Sequence, residues 1–559
     1  MFKTLGLYWH TLRYLKPVQI YGRLWFKLSR PRPDLSPAPP LRFPTGRWVA
    51  CAARAQSLTS ADTFFFLNQA GSLVELGWDA PTVEKLWRYN QHYFDDLNAE
   101  GSVQRSDWHL ALIQNWLQHN PVGQGSGWEP YPTSLRIVNW VKWTLAGNTL
   151  SDQAVHSLAV QARWLSKRLE QHLLGNHYFA NAKALVFAGL MFEGAEAQTW
   201  LKKGLAIIAQ QLPEQVLPDG GNFERSPMYH SIFFEDLLDL INAARAWPGQ
   251  IVIDTISQWR GVAEGMAAWL LGMTHPDGQI GLFNDAAIGV APAPAVLADY
   301  AGRTELSVEE PLVSITEQVV MQQWPDSGYI RLAAENAVAL LDVAPIGPDY
   351  LPSHANADTL SFELSLFGQR VIVNGGTSRY GSGPERLRER QTAAHSTLEI
   401  DGQSSSEVWG GFRVARRAYP CDLHLDKQMN VVTVACSHDG YRRLPGKPVH
   451  RRWWHLKPGS LTVEDQIAGA CNQVVARYIF QTSVRIELVS ENQFEMTLAN
   501  GHAIKLLVLA GRGRLARANC SMGFGLSTET QCLEVYPVNN ALSVVLSWHQ
   551  DSILNNSNQ

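Results

Sequence analysis

Two polar nodes stand at the heads of apolar, helix-periodic runs. Gly175-Asn176-His177-Tyr178-Phe179-Ala180-Asn181 opens one run, and Asp219-Gly220-Gly221-Asn222-Phe223-Glu224-Arg225-Ser226-Pro227-Met228-Tyr229-His230 opens the next. An amide beside a helix N-terminus can donate to a carboxylate and neutralise it. Asn181 falls one turn after His177, on the same face. Ser226-Pro227 has the form of an N-cap with proline at the first helical position. A phenol there can take or give a proton only if its surroundings offset an ordinary pKa of about 10. The plain structural alternatives are a capped helix with a satisfied core histidine at the first node, and a buried tyrosine at the second. Glu224, Arg225, Tyr229 and His230 together are more polar than a helix start requires.

A third cluster lies far along the chain. His354-Ala355-Asn356-Ala357-Asp358 opens an alternating strand, and Asn374-Gly375-Gly376-Thr377-Ser378-Arg379-Tyr380 closes its hairpin. Arg386, Arg388, Arg390, Thr392 and His395-Ser396-Thr397 then precede Leu398-Glu399-Ile400. Arginines at this density ordinarily form a solvated loop. Beside histidines at strand ends they can also hold an acidic polymer.

The elements that position these clusters change character along the chain. Residues 1–45 read as a helical segment and a connector that carries Pro31, Pro33, Pro37, Pro39, Pro40 and Pro44, a composition that excludes helix. From about Ser60 to Tyr300 the period is helical, as in Leu158, Ala162, Leu165, Leu169 and Leu173. Similar runs cover 81–97, 107–119, 133–147, 180–194, 199–212, 231–247 and 256–273. After about Val308 the period becomes two. Leu360, Phe362, Leu364 and Leu366 alternate with polar neighbours up to the turn at Gly368, and Asn500-Gly501 joins two further alternating runs as a hairpin. The predicted organisation is an all-α unit over 46–307 and an antiparallel β-sandwich over 308–559. Fifteen of the twenty tryptophans precede residue 310. Most of them should staple the helical core; Trp87, Trp128, Trp140 and Trp143 are the candidates for stacking on sugar rings.

Composition narrows the partners. The chain has 559 residues, a net charge of −4 and a pI near 6.5, so no global field favours nucleic acid or lipid. Six cysteines without C-x-x-C spacing support neither a zinc ribbon nor a disulfide framework. The first 27 residues mix aromatics with His10, Arg13, Lys16 and Arg23 and lack the apolar core of a signal peptide. They read as a helix packed on the main body, with an amphipathic surface-lying helix as the alternative. No uninterrupted apolar stretch is long enough to span a bilayer. The leader reading favours the cytoplasm, with the periplasm left open.

At these residues the chain resembles the heparinase II/III-like polysaccharide lyases and their alginate-lyase relatives. The matching motifs are N-H-x-x-x-N-x-x-A-L (Asn176 to Leu185), D-G-x-x-x-E-x-S-x-x-Y-H (Asp219 to His230), H-x-x-x-D (His354, Asp358) and R-x-T-x-A-H (Arg390 to His395). Trp128-Glu129-Pro130 through Trp140 is similar to the family's upstream helix. The ordered set is far more specific than any single motif. The resemblance implies an incomplete α/α toroid followed by an antiparallel β-sandwich, with the active site between them. It implies β-elimination on a uronate polymer, with Asn176 and His177 on the carboxylate, Tyr229 as base and acid, and His354 assisting or acting as base. Arg136, Arg225, Tyr380 and Arg390 are the implied substrate contacts, with Trp128 and Trp140 as stacking candidates. Family members often bind a structural zinc where this chain has Asn356, Asn374 and His395; two amides in place of an imidazole and a carboxylate lead to the expectation of no metal and no cofactor. A uronate C5-epimerase and a non-catalytic glycan-binding or biosynthesis accessory protein are the alternatives. A hydrolase would need two carboxyls across the scissile bond, and the spacing of Glu224, Asp285 and Asp358 suggests no pair.

Overall fold

Six central helices explain why the first half closes into a ring. The computed structural model describes residues 2–308, 318–428 and 430–553. Pro130–Leu145, Gly175–Met191 and Pro227–Ala246 are buried over nearly their whole surface. Asp152–Lys167, Gly194–Gln215 and Ile253–Gly272 each bury one face. A helix apolar all round needs neighbours on every side, and one with a single apolar stripe can face water. Alternating the two kinds produces an inner and an outer layer, the incomplete α/α toroid. Lys85–Tyr93 and Ser106–His119 extend it at one end, and Pro294–Arg303 at the other. The stripe that begins at Leu158 stays helical only to Lys167, so Leu169 packs from the loop beyond.

Two helices, Phe2–Leu12 and Pro17–Leu28, precede the connector. The connector is extended, as its prolines require, and lies along the toroid: Arg42 N–H donates to Met191 O at 2.7 Å, and Glu193 N–H to Pro40 O at 2.8 Å. The helical reading from Ser60 fails over a small antiparallel sheet, Leu58–Ser60, Thr63–Phe66 and Gln69–Ser72. Leu67 and Asn68 both have positive φ (53° and 59°), the geometry of a tight hairpin turn that matches strand twist. Phe64 and Phe66 fix its register by packing on Trp87.

In the second half, an eight-stranded antiparallel sheet packs on a nine-stranded one across a shared apolar core. The Asn500-Gly501 hairpin forms as expected, with Met496 opposite Ile504. The boundary expected at 307/308 adjoins residues 309–317, outside the described residues; the last helix ends at Arg303 and the first strand of this half starts at Val320. In the nine-stranded sheet, Tyr329–Ala334, Ala337–Asp342 and Phe362–Leu366 are buried along their whole length. Leu364 faces the other sheet, while the polar side of the same strand faces the toroid. There His275 meets Ser365 Oγ at 2.8 Å and Glu363 Oε2 at 2.8 Å. Trp269, Met273 and Phe283 pack beside Trp324 and Leu340. A polar strand face that would ordinarily be wet is therefore the docking face between the two halves, and its carboxylate and imidazole satisfy each other.

Candidate active site

The first node is built on two successive left-handed residues, Leu174 (φ 61°) and Gly175 (φ 55°), which turn the chain into the helix Gly175–Met191. A Cβ at Gly175 would lie 2.7 Å from Leu351 and 3.1 Å from Glu224 Oε1, so only glycine lets that carboxylate approach. The Asn176 N–H donates to Glu224. His177 Nδ1 lies 3.2 Å from Glu170 Oε1, and its ring stacks at 4.4 Å on Tyr131. Burial opposes charge on His177, but the Glu170 carboxylate outweighs it and holds the imidazole above its usual range. Asn181 is fully buried and serves Glu170: its Oδ1 accepts from Glu170 N–H at 2.8 Å, and its Nδ2 donates to Ser134 Oγ.

The second node divides its residues between structure and cleft. Ser226 Oγ accepts from Tyr229 N–H at 3.4 Å and donates to Asp285 O at 2.8 Å, with Pro227 at the first helical position. His230 is fully buried between Asn222 N–H and Met266 O. Asp219 accepts from Ser327 N–H and Oγ, and Arg225 Nε donates to Ser327 O at 3.0 Å. These contacts dock the β half, and Arg225 is committed to them instead of facing the cleft.

Tyr229 does face the cleft. Its hydroxyl lies 2.7 Å from the Tyr380 hydroxyl, and its ring stacks on His354 at 4.0 Å between centroids. Burial, reinforced by Tyr380, holds Tyr229 protonated well above a free phenol's pKa. Tyr380 is raised too, by burial and then by Asp285. His354 Nδ1 lies 3.0 Å from Asp285 Oδ2, and Arg386 grips both oxygens of Asp285 at 2.5 Å. Burial pushes the Asp285 carboxyl up, but Arg386 and His354 prevail and hold it at about 2. An ionised Asp285 that accepts Nδ1–H leaves His354 Nε2 as the free base nitrogen.

Glu224 is the strained member. It is buried, Oε2 has no hydrogen-bond partner, and His354 Nε2 is 3.7 Å away. Burial raises its carboxyl above the usual range, against the pull of His354 and His177. A folded value above the unfolded one means that stability falls as pH rises through that interval. Glu224→Gln is expected to melt higher than wild type at neutral pH, by about 1 kcal/mol. The gain should vanish below the ordinary carboxylate range, and a pH series of thermal melts checks this.

Asn176, His177, Glu224, Tyr229, His354 and Tyr380 all line one cleft of 2210 Å³ between toroid and sandwich. The other expected contacts are not brought there. Arg136 is fully buried, with Nε on Gln161 at 3.0 Å and its guanidinium 3.9 Å over Trp116. Arg390 is fully buried on Ala355 O. Trp140 is fully buried among Phe94 and Trp116. Trp128 reaches the cleft wall only by an edge, since its ring packs on Trp116 and Nε1 donates to Asn120 O at 3.1 Å. Trp87 and Trp143 are likewise core. These side chains are buried in the chain interior, so none presents a face to a sugar. Phe412 and Arg413 line the cleft instead.

The altered metal position fails a chemical test. His395 and Asn356 are fully buried, and neither the imidazole nitrogens of the one nor the amide atoms of the other have a partner. Asn374 is spent on Ser361 Oγ and Ser396 N–H, both at 3.3 Å. One imidazole and two amides do not make a zinc donor set, and no step below uses a metal. Asp285 is bound by Arg386, and Asp358 accepts from Asn284 N–H at 3.1 Å, so neither is free to pair with Glu224 across a scissile bond as a hydrolase requires.

The helical toroid followed by an antiparallel sandwich is a fold that this chain shares with heparinase III structures. Two sequence models match in succession, Heparinase II/III N-terminus over residues 103–301 and Heparinase II/III-like, C-terminal over residues 319–551. The chain belongs to the heparinase II/III-like family. A heparin-sulfate lyase of Pedobacter heparinus is 25% identical over 344 residues, 53% of this chain and 48% of that protein. One from Bacteroides stercoris is 24% identical over 255 residues, 42% of this chain and 37% of that protein. The chain thus spans about half or less of the curated relatives it matches. A heparinase III crystal structure aligns with a TM-score of 0.63 at 17% identity, over 83% of this chain and 76% of that one. A heparan sulfate lyase from Pedobacter heparinus aligns at 0.57 and 17%, over 96% and 88%. At such identities the likeness concerns the fold.

Proposed function

We propose that the protein is a polysaccharide lyase that cleaves a uronic-acid-containing polymer by β-elimination. The observation that carries this reading is the meeting of Asn176, His177, Tyr229 and His354 in one interdomain cleft. The C5 proton of a uronate is weakly acidic until its carboxylate charge is offset. Asn176 at a helix N-terminus, and His177, whose imidazole Glu170 holds above its usual range, supply that offset. His354 Nε2 then takes the C5 proton, the electron pair forms the C4–C5 double bond, and the C4–O4 bond breaks. Tyr229 gives its proton to O4. Burial that keeps Tyr229 protonated supports giving it the acid step, and the Asp285 carboxylate supports His354 as base. His354 gains one proton and Tyr229 loses one, so transfer between them through solvent resets the site.

The test is incubation with a panel of uronate polysaccharides of both C5 configurations, followed by ultraviolet absorbance of a 4,5-unsaturated sugar. Absorbance that grows with enzyme supports the reading. Its absence across the panel, with binding retained, contradicts it and leaves the accessory role. His354→Gln is expected to lower the rate by about 10²-fold or more; near-wild-type rates would return both proton steps to Tyr229. The donor set also leads us to propose a metal-free fold. Metal analysis should find no stoichiometric zinc, and a chelator should leave the melting temperature unchanged; one tightly held zinc bound by His395 would contradict this.

A further inference from the structure

The two N-terminal helices form a strap across the mouth of the cleft, and their outer face has no partner among the described residues. Their inner face is fastened to both halves. Thr11 Oγ1 donates to Val414 O at 3.3 Å, and Gln19 Nε2 to Tyr350 O at 3.0 Å. Arg168 of the toroid stacks 3.9 Å over Phe26 and donates to Phe26 O at 3.0 Å. Thr11, Leu15, Gln19 and Phe26 consequently form part of the cleft wall.

The outer face is apolar at helical spacing. Leu5 and Trp9 lie exposed along the first helix, and Ile20, Leu24, Trp25 and Leu28 along the second. Trp9 is 67% exposed, Trp25 70% and Leu28 79%. Contiguous exposure of large apolar side chains is rare on a surface that meets only water.

Charge identifies the occupant. The first 32 residues carry seven lysines and arginines and no acidic residue, in a chain whose net charge is −4. Arg13, Arg23, Lys27, Arg30 and Arg32 are exposed beside the apolar stripe. Exposed tryptophan and leucine flanked by cations are what an anionic bilayer surface accepts: rings and aliphatic chains enter the headgroup boundary and cations meet lipid phosphates. No helix among the described residues is long and apolar enough to cross a membrane, so contact through these helices would be interfacial. We infer that this strap seats the protein on an anionic lipid surface and holds the mouth of the cleft close to it.

Flotation of the full chain with vesicles tests the inference, using phosphatidylcholine alone and phosphatidylcholine mixed with phosphatidylglycerol. Wild type should float with the mixed vesicles, bind the neutral ones at least about tenfold less, and show a blue shift of tryptophan emission on binding. The variant Trp9→Ser/Trp25→Ser/Leu28→Ser should lose flotation while keeping the wild-type melting temperature. Arg23→Gln/Lys27→Gln/Arg30→Gln should weaken binding to the mixed vesicles only. Three results would overturn it: no flotation of wild type, equal flotation of the apolar variant, or light scattering that shows a dimer which that variant breaks.

Discussion

Tyr229→Phe is expected to lower formation of the unsaturated product by about 10²–10⁴-fold, the range for loss of a general acid. The substitution keeps the ring that stacks on His354 and removes only the hydroxyl that meets Tyr380. One hydrogen bond is worth about 1 kcal/mol in stability, so the melting temperature should barely move. The loss should appear in kcat with KM little changed if, as proposed, the hydroxyl acts on the departing O4 and not on the carboxylate. A variant that retains wild-type turnover would remove Tyr229 from the chemistry.

Arg386→Leu is expected to destabilise the fold by about 3–5 kcal/mol, the cost of leaving a buried carboxylate without its cation. Asp285 is fully buried, and Arg386 is the largest influence holding its carboxyl at about 2. A depressed folded value contributes stability above the ordinary carboxylate range, and that contribution is lost as pH falls through about 2. The difference between wild type and variant in urea unfolding should be largest at neutral pH and shrink as the solution is acidified. The variant should also lose elimination, since a protonated Asp285 no longer holds His354 in one tautomer. A difference that grows on acidification would contradict the ion-pair account.

The ordered motifs made the cleft residues legible because their chemistry is local. The amide and imidazole stand at a helix start, and the phenol stands three residues after its N-cap. The two halves were legible from period alone. What was not legible is tertiary. His354 meets Asp285 from 69 positions away, and no spacing encodes that pairing. Arg136 and Arg390 carry the charge that an acidic polymer would need, yet both are buried in the interior against carbonyl oxygens and, for Arg136, an indole face. Charge alone does not say which side of the surface an arginine occupies. Trp140 illustrates the same limit for aromatics. The sheet at Leu58–Ser72 escaped because three consecutive phenylalanines conceal the alternation that their burial reveals.

The central claim is that the cleft removes the C5 proton and expels O4 in one committed sequence. It is tested most directly by nuclear magnetic resonance of a cleaved uronate oligosaccharide after reaction in deuterium oxide. The account predicts an olefinic H4 signal on every new non-reducing end and no deuterium at C5 of uncleaved sugar. Deuterium at C5 of intact chains, without olefin, would contradict it and identify an epimerase.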